Sequence, residues 1–403
     1  MKTEVQPLIP ALRFPEFEGE WKSEYFKDVV KINQGLQIAI ADRLLEPEED
    51  SLFYITNEFL NPKSSKRYYI KNASKSVICN EEDVLMTRTG NTGKVVTNVN
   101  GAFHNNFFRI AYPEYINKIY LYSFLILPRT QNLITRLAGT STIPDLNHSD
   151  FYKIRFLFPS LPEQQKIASF LTTIDSRIQA LEKKKSSLEQ YKKGVMQKIF
   201  TQEIRFKDED GKNFPEWEEK KLGEVAKFSK GRGLSKNDID ENGINDCIRY
   251  GELYTDYCET IASVKSRTNL KKQDCVLSEI NDVIIPASGE THLDIATASC
   301  VLVEGVILGG DLNIIKSNLN GVYLAYLLNS KLKNQVARLS QGSSVVHLYS
   351  KQLCKLNIIY PSQTEQTHIA NFLTALDKKI ALVKEQIEKT KAYKKGLLQK
   401  MFV

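Results

Sequence analysis

The sequence predicts an α+β (α/β) protein with a pseudo-twofold internal repeat. Two similar mixed, strand-rich domains are separated by two long helices that pair as an antiparallel coiled coil. Three observations predict this. Residues 159–200 align without a gap on residues 361–402, with 18 of 42 positions identical. The spacing, about 200 residues, lies far beyond the periods of ordinary solenoids. Within both copies apolar residues recur in alternating steps of four and three, the 3.5-residue seam of a coiled coil. Before each copy lies a long stretch of short β-prone runs broken by Gly, Asn and Asp.

The elements follow in the same order in each half. A lead segment comes first, residues 13–36 and 205–234. Trp21 matches Trp217; an apolar residue follows five on (Phe26, Leu222) and a Val eight on (Val29, Val225). Gly35 and Gly231 then fall at the same distance from their Trp. The two Trp residues read as packing anchors rather than base-stacking groups. A variable region follows, residues 37–158 and 235–360, with runs such as LFYIT, KVVTNV and DVIIPAS. Faint landmarks persist between the two. Asp83-Val84-Leu85 parallels Asp282-Val283-Ile284, Tyr120-Leu121 parallels Tyr323-Leu324, and Gly139-Thr140-Ser141 resembles Gly342-Ser343-Ser344. One fold with two different surfaces is expected.

The third part is the long helix. Its stripe is Ile167, Leu171, Ile174, Ile178, Leu181, Leu188, Val195 and Ile199, with Lys185 and Lys192 in the gaps. The second stripe is Ile369, Leu373, Leu376, Ile380, Val383, Ile387, Leu397 and Met401, with Thr390 and Lys394 in the gaps. Pro162 suits a first helical turn and Glu163 its positive end. Gly194 and Gly396 weaken the far ends, by about 1 kcal/mol each relative to Ala. Matched stripes favour mutual pairing over packing of each helix on its own domain alone. The expected layout is 1–158 for the first lead segment and domain, 159–204 for the central helix, 205–360 for the second lead segment and domain, and 361–403 for the last helix.

Composition narrows the function. The chain of 403 residues is 42% hydrophobic and 26% charged, as expected of a soluble globular protein with room for two domains. A net charge of +7 favours a polyanionic partner. No apolar run approaches the ~20 residues of a membrane span, and MKTEVQPLIP has no signal-type core, so a cytoplasmic protein is expected. Six scattered cysteines without a CxxC pair read as reduced thiols. No catalytic constellation is present. Gly90-Asn91-Thr92-Gly93-Lys94 has the wrong glycine spacing for a phosphate loop, and Val95 replaces its Ser or Thr. Asn61-Pro62-Lys63 lacks the aromatic residue of an amino-methyltransferase motif, Gly231-Arg232-Gly233 is too short for a dinucleotide fingerprint, and the five His show no metal-ligand spacing. No cofactor or metal is expected in this chain.

Three features recur in both halves: the Trp21 and Trp217 lead segments, the PS-x-x-EQ-x-x-IA-x-FL-x-x-x-D helix starts at Pro159 and Pro361, and the YKKG-x-x-QK-x-F ends. In these residues and in its order of parts the chain resembles the specificity subunits of type I restriction–modification systems. The resemblance covers essentially the whole chain. It implies two target-recognition domains that each read half of a split site on double-stranded DNA. It implies conserved helices that dock methyltransferase subunits, with restriction/translocase subunits added in the full complex. Adenine methylation with S-adenosylmethionine, and cleavage using ATP and Mg, would belong to those partners. The pseudo-twofold suggests two methyltransferase subunits, and the resemblance implies two restriction/translocase subunits in the full complex. A rigid spacer between two readers would enforce an unread gap. A helix of some 38 residues is roughly 55 Å long, a span of about 16 base pairs at most.

Base reading needs polar side chains on exposed loops. In the first region the candidates are Thr87, Arg88, Asn91 and Lys94, with Ser141, Thr142 and His148 as a second patch. In the second region they are Ser288, Glu290, Thr291 and His292, with Ser343, Ser344, His347, Lys230 and Arg232. Arg88 and Lys94 suit phosphate or guanine, and Glu290 a cytosine amino group. For partner docking the recurrent helix-start residues stand out: Glu163, Gln164 and Phe170, and Glu365, Gln366 and Phe372. Two rival readings are a self-contained methyltransferase or nuclease, which requires a cofactor motif, and a coiled-coil scaffold that binds only proteins, which requires DNA affinity to be absent.

Overall fold

The computed structural model describes residues 8–139, 142–342 and 345–403. The chain forms two compact units, Met1–Leu181 with Gln386–Val403, and Glu182–Glu385.

In the first unit the lead strand Lys22–Tyr25 pairs antiparallel with Arg155–Phe158, the strand that runs into the first long helix. A four-stranded antiparallel sheet is ordered Lys31–Gln34, Phe107–Ala111, Val84–Thr87, Val95–Val96. All four residues of Val84–Thr87 are buried, so this strand is a continuous run without polar alternation. A second sheet is ordered Tyr69–Ile70, Leu52–Ile55, Gly101–Phe103, Ile78–Cys79, with its central pair parallel. The helix Lys118–Leu125 starts where the Asn117 side chain accepts from the backbone of Ile119 and Tyr120. The helix Pro128–Leu137 follows.

The second unit repeats this frame. Glu218–Lys221 pairs with Asn357–Tyr360. A five-stranded sheet is ordered Ala226–Lys230, Leu312–Ser317, Val283–Pro286, Ser299–Val301, Thr260–Ile261. A three-stranded sheet is ordered Ser266–Thr268, Asn245–Ile248, Ile307–Leu308, and its last pair is parallel. The helix Gly321–Asn329 is capped by Asn320.

The faint sequence landmarks have equal jobs in both units. Asp83 accepts from the backbone N–H of Asn80 at 2.9 Å, and Asp282 from that of Glu279 at 2.8 Å. The buried Tyr120 donates to the Leu157 carbonyl at 2.8 Å, and Tyr323 to that of Ile359 at 3.2 Å. Trp21 is buried against Tyr120 and Phe402, while Trp217 meets Tyr323 edge-on. Both act as packing anchors. A Cβ on Gly35 would lie 2.1 Å from the Phe103 carbonyl oxygen, and one on Gly231 2.0 Å from that of Gly309. Only glycine permits that approach.

The long helices are Leu161–Phe200 and Gln363–Met401. In the first unit Ile167, Leu171, Ile174 and Ile178 share one core with Leu397, Leu398, Met401 and Phe402, and with Trp21, Tyr120 and Phe156 of the domain. In the second unit Ile369, Leu373 and Leu376 share a core with Ile199 and Phe200, and with Leu222 and Tyr323. Within each unit the start of one helix therefore packs antiparallel on the end of the other, and both pack on the domain. Packing of each helix on its own domain alone is not what the chain adopts. The lysines that interrupt the stripes have partners: Lys192 lies 2.6 Å from Asp377 and 3.2 Å from Glu259, and Lys394 lies 2.6 Å from Asp175.

Candidate nucleic-acid interface

In the first unit the buried strand Val84–Thr87 delivers the chain into the loop of residues 87–94. Gly90 and Gly93 take positive φ, 83° and 88°, the conformation that favours glycine. The Thr87 hydroxyl donates to the Asn91 carbonyl at 2.5 Å and accepts from the Lys94 N–H at 2.9 Å. Thr87 is fully buried. Its expected role as a DNA-facing side chain is therefore corrected: it closes the loop from beneath, because the strand it ends is covered on both faces. Thr92 donates to the carbonyls of Arg88 and Pro144, at 3.0 and 2.8 Å. The Asn57 amide donates to the Thr89 carbonyl at 3.1 Å.

The two candidate patches of this unit meet. The Leu146 N–H donates to the Arg88 carbonyl at 2.9 Å. Asp145 accepts from Arg88 through Nε at 3.1 Å and Nη2 at 2.6 Å, and from the Thr89 hydroxyl. Burial works against the Asp145 charge, but the hydrogen bonds from Thr89 and Arg88 and the Arg88 charge outweigh it and hold the carboxyl below its usual range. The Arg88 guanidinium lies over Phe108 at 5.6 Å, and the His148 ring sits 4.9 Å from the same Phe108. Asn91, Lys94, Thr142 and His148 are exposed. Ser141 lies outside the described residues.

In the second unit Ser288–Gly289 forms a short strand with Val346–His347, Ser288 opposite His347. Ser288 is buried, so its expected contact is also corrected: it contributes backbone pairing. Thr291 caps the turn His292–Ile295, accepting from the Asp294 N–H at 3.1 Å and donating to the Asp294 carboxylate at 2.6 Å. His292 Nδ1 lies 2.6 Å from the Ser340 hydroxyl, and the His347 ring stacks on Tyr349 at 6.3 Å. Glu290, Thr291, His292 and His347 are exposed. Lys230 and Ile285 flank Asn313 from the two neighbouring strands, so exposed Lys230 and Arg232 stand at the sheet end that bears the 288–292 loop. Ser343 and Ser344 lie outside the described residues.

Four of the helix-start residues expected to dock partners, Glu163, Gln164, Glu365 and Gln366, are buried, and for these the expectation is corrected; Phe170 and Phe372 are half-buried. Glu163 accepts from Arg13 Nε at 2.8 Å and Nη2 at 2.7 Å, and from the Trp21 indole at 3.3 Å. Gln164 accepts from the Asn117 N–H at 2.9 Å and donates to the carbonyls of Tyr115 and Pro159. Glu365 accepts from Arg205 at 2.9 and 3.3 Å, and Gln366 accepts from the Asn320 N–H at 2.8 Å. Phe170 packs edge-on against Phe14, and Phe372 against Phe206. These repeated residues latch each lead segment and capping asparagine onto the helix of their own unit. The recurrent Arg-Phe pairs at Arg13 and Arg205 were the legible signal for this latch. Asp145, Asn57 and Phe108 carry no signal in the sequence.

Among the described residues no group of His, Cys, Asp or Glu could hold a metal ion, and no helix is long and apolar enough to cross a membrane.

Comparison with known proteins adds to this geometry. A type I restriction modification DNA specificity domain matches twice, over residues 18–190 and 215–392. The MjaVIII type I restriction enzyme specificity subunit of Methanocaldococcus jannaschii is 27% identical over 404 aligned positions, covering 94% of this chain and 91% of that protein. The MjaIX specificity subunit of the same organism is 26% identical, covering 79% and 76%. The crystal structure of a type I restriction–modification S subunit from M. genitalium has the same fold, with a TM-score of 0.61 at 16% identity over 98% of this chain and 99% of that one.

Proposed function

The chain belongs to the type I restriction modification DNA specificity family, and from that premise we propose how its two copies divide the reading of DNA. It is a DNA sequence-specificity subunit with two specificity domains and no catalysis of its own. Each unit reads one half of a bipartite site. The first does so with Arg88, Asn91, Lys94, Thr142 and His148, the second with Glu290, Thr291, His292, His347, Lys230 and Arg232. The observation that carries this reading is one packing frame, with the same latch and the same buried tyrosine, that occurs twice under two unlike loops. Unlike loops on like frames are what reading two different half-sites requires.

The paired helices set the gap and carry two methyltransferase subunits. With the latch residues buried, docking falls to the exposed helix faces. Tyr191 and Tyr393 are exposed at matching positions of the repeat, and tyrosine is a frequent anchor of protein interfaces. Two restriction/translocase subunits complete the complex. S-adenosylmethionine, ATP and Mg are held by those partners, in the cytoplasm.

The test is single-molecule methylation sequencing of DNA from cells that express this chain with its cognate methyltransferase subunit. The expected result is one adenine-methylated motif, split by a fixed unread gap and lost when this chain is omitted. No new methylation, from an assembled complex whose methyltransferase works with another specificity chain, overturns the reading.

A further inference from the structure

The geometry points to Arg88 as a reader of guanine, held in that role by Asp145 as a positioning residue; the inference rests on the reading that this loop faces DNA. A guanidinium is a planar fork with five N–H donors. Asp145 occupies one edge, taking Nε at 3.1 Å and Nη2 at 2.6 Å. Phe108 covers one face at 5.6 Å and is itself fully buried. The end edge left over carries one hydrogen of Nη1 and the second hydrogen of Nη2, side by side, and Nη1 donates to no described residue. Two parallel donors on one rigid edge match the O6 and N7 acceptors of guanine in the major groove.

The surroundings fit a reader better than a phosphate clamp. A phosphate contact needs charge and tolerates a mobile side chain, as Lys94 offers at the same loop. Arg88 is instead fixed along one edge by Asp145 and on one face by Phe108. The Arg88 side chain keeps 18% of its exposure, as expected of a group presenting one edge. Asp145 is held in turn by the Thr89 hydroxyl, and its backbone bridges to Thr89. The ordering entropy of a long side chain is thus spent before DNA arrives. Asp145 stays ionised under this clamp, so the fork keeps its partner at neutral pH.

At the matching position the second unit has no arginine. The bridge Thr89–Asp145 corresponds to the pair Ser288–His347. Counting back one residue places Ala287, buried, where the first unit has Arg88. Any guanine in the second half-site is read by other means.

The test uses the full chain with its methyltransferase subunit and sequences the methylated motif. Exchange of the first variable region identifies which half-site belongs to the first unit. That half is expected to contain at least one G·C pair. Arg88→Lys keeps the charge and removes the fork, so discrimination at one G·C position should fall about 10- to 100-fold. The other half-site and the gap should be unchanged. Asp145→Asn should relax the same position to a smaller degree, an effect that a merely structural ion pair would not confine to one base pair. Uniformly weaker methylation of all sequences by Arg88→Lys identifies a phosphate contact and overturns the inference. So does unchanged strictness at every position. A first half-site made only of A·T pairs overturns it whatever the variants do. Absence of any motif with the parent chain is a different result, which counts against the DNA-reading role itself.

Discussion

Glu163 is a carboxylate at a helix start, and in most proteins that position faces water. Here it is almost completely buried because Arg13, 150 residues away in sequence, folds back over it. Removing one partner of a buried pair leaves the other uncompensated, which costs several kcal/mol. Glu163→Ala should therefore destabilise the first unit by about 3 kcal/mol, measured as a lowered denaturation midpoint. Glu365→Ala should do the same to the second unit through Arg205. A variant that changed only partner docking, with the midpoint untouched, would show the latch to be a surface after all. His104 supplies a pH test. Burial, with the Arg43 charge adding to it, pushes its imidazole down to about 4. The folded state thus resists protonation. Stability is fully present above the ordinary value of about 6.5 and is lost as pH falls from there towards 4. Denaturation midpoints at pH 7 and pH 4.5 should differ more in the parent than in His104→Gln.

At the scale of elements the long helices depend on both apolar and ionic contacts. Lys192 interrupts the stripe, yet its side chain is 14% exposed between Asp377 and Glu259 and lies 5.0 Å over the Tyr326 ring. Burial works against its charge, but Glu259 and Asp377 outweigh this and raise its pKa. The Lys192 contribution is therefore fully present below the ordinary lysine value while its carboxylate partners are ionised, and it is lost as pH rises through the raised lysine value. Lys394 makes the matching pair with Asp175, whose carboxylate is 42% exposed. Exposure decides the sizes. Lys192→Met should cost about 2 kcal/mol, because two half-buried carboxylates lose their cation. Lys394→Met should cost about 1 kcal/mol or less. Denaturant titration of the two variants checks the order; equal losses would refute it. The helical periodicity and its gaps could be read from spacing alone. What filled the gaps could not, because Glu259 comes from a domain loop with no periodic signature.

For the whole molecule the repeat predicts modular behaviour. Exchanging the first variable region for that of another specificity chain should change one half of the methylated motif and leave the other half and the gap alone. Inserting a whole heptad at matched positions of both helices should change the gap alone. Methylation sequencing reads both, and a single-region exchange that altered both halves would refute modularity. The sequence by itself determined the duplication, the lead segments, the helical seam and the family, because each is a local pattern of residue types at regular spacing. It also marked Gly35 and Gly231, whose shared distance from Trp reflects one close backbone approach in each unit. Only the tertiary structure decided which polar residues face outward. Thr87, Ser288, Glu163 and Glu365 were legible as polar but not as buried, since burial is set by strands and segments distant in the chain. The Arg88–Asp145 fork joins residues 57 positions apart, and no local rule pairs side chains over that distance. Periodicity is written in the chain, but the orientation of a side chain depends on what packs against it.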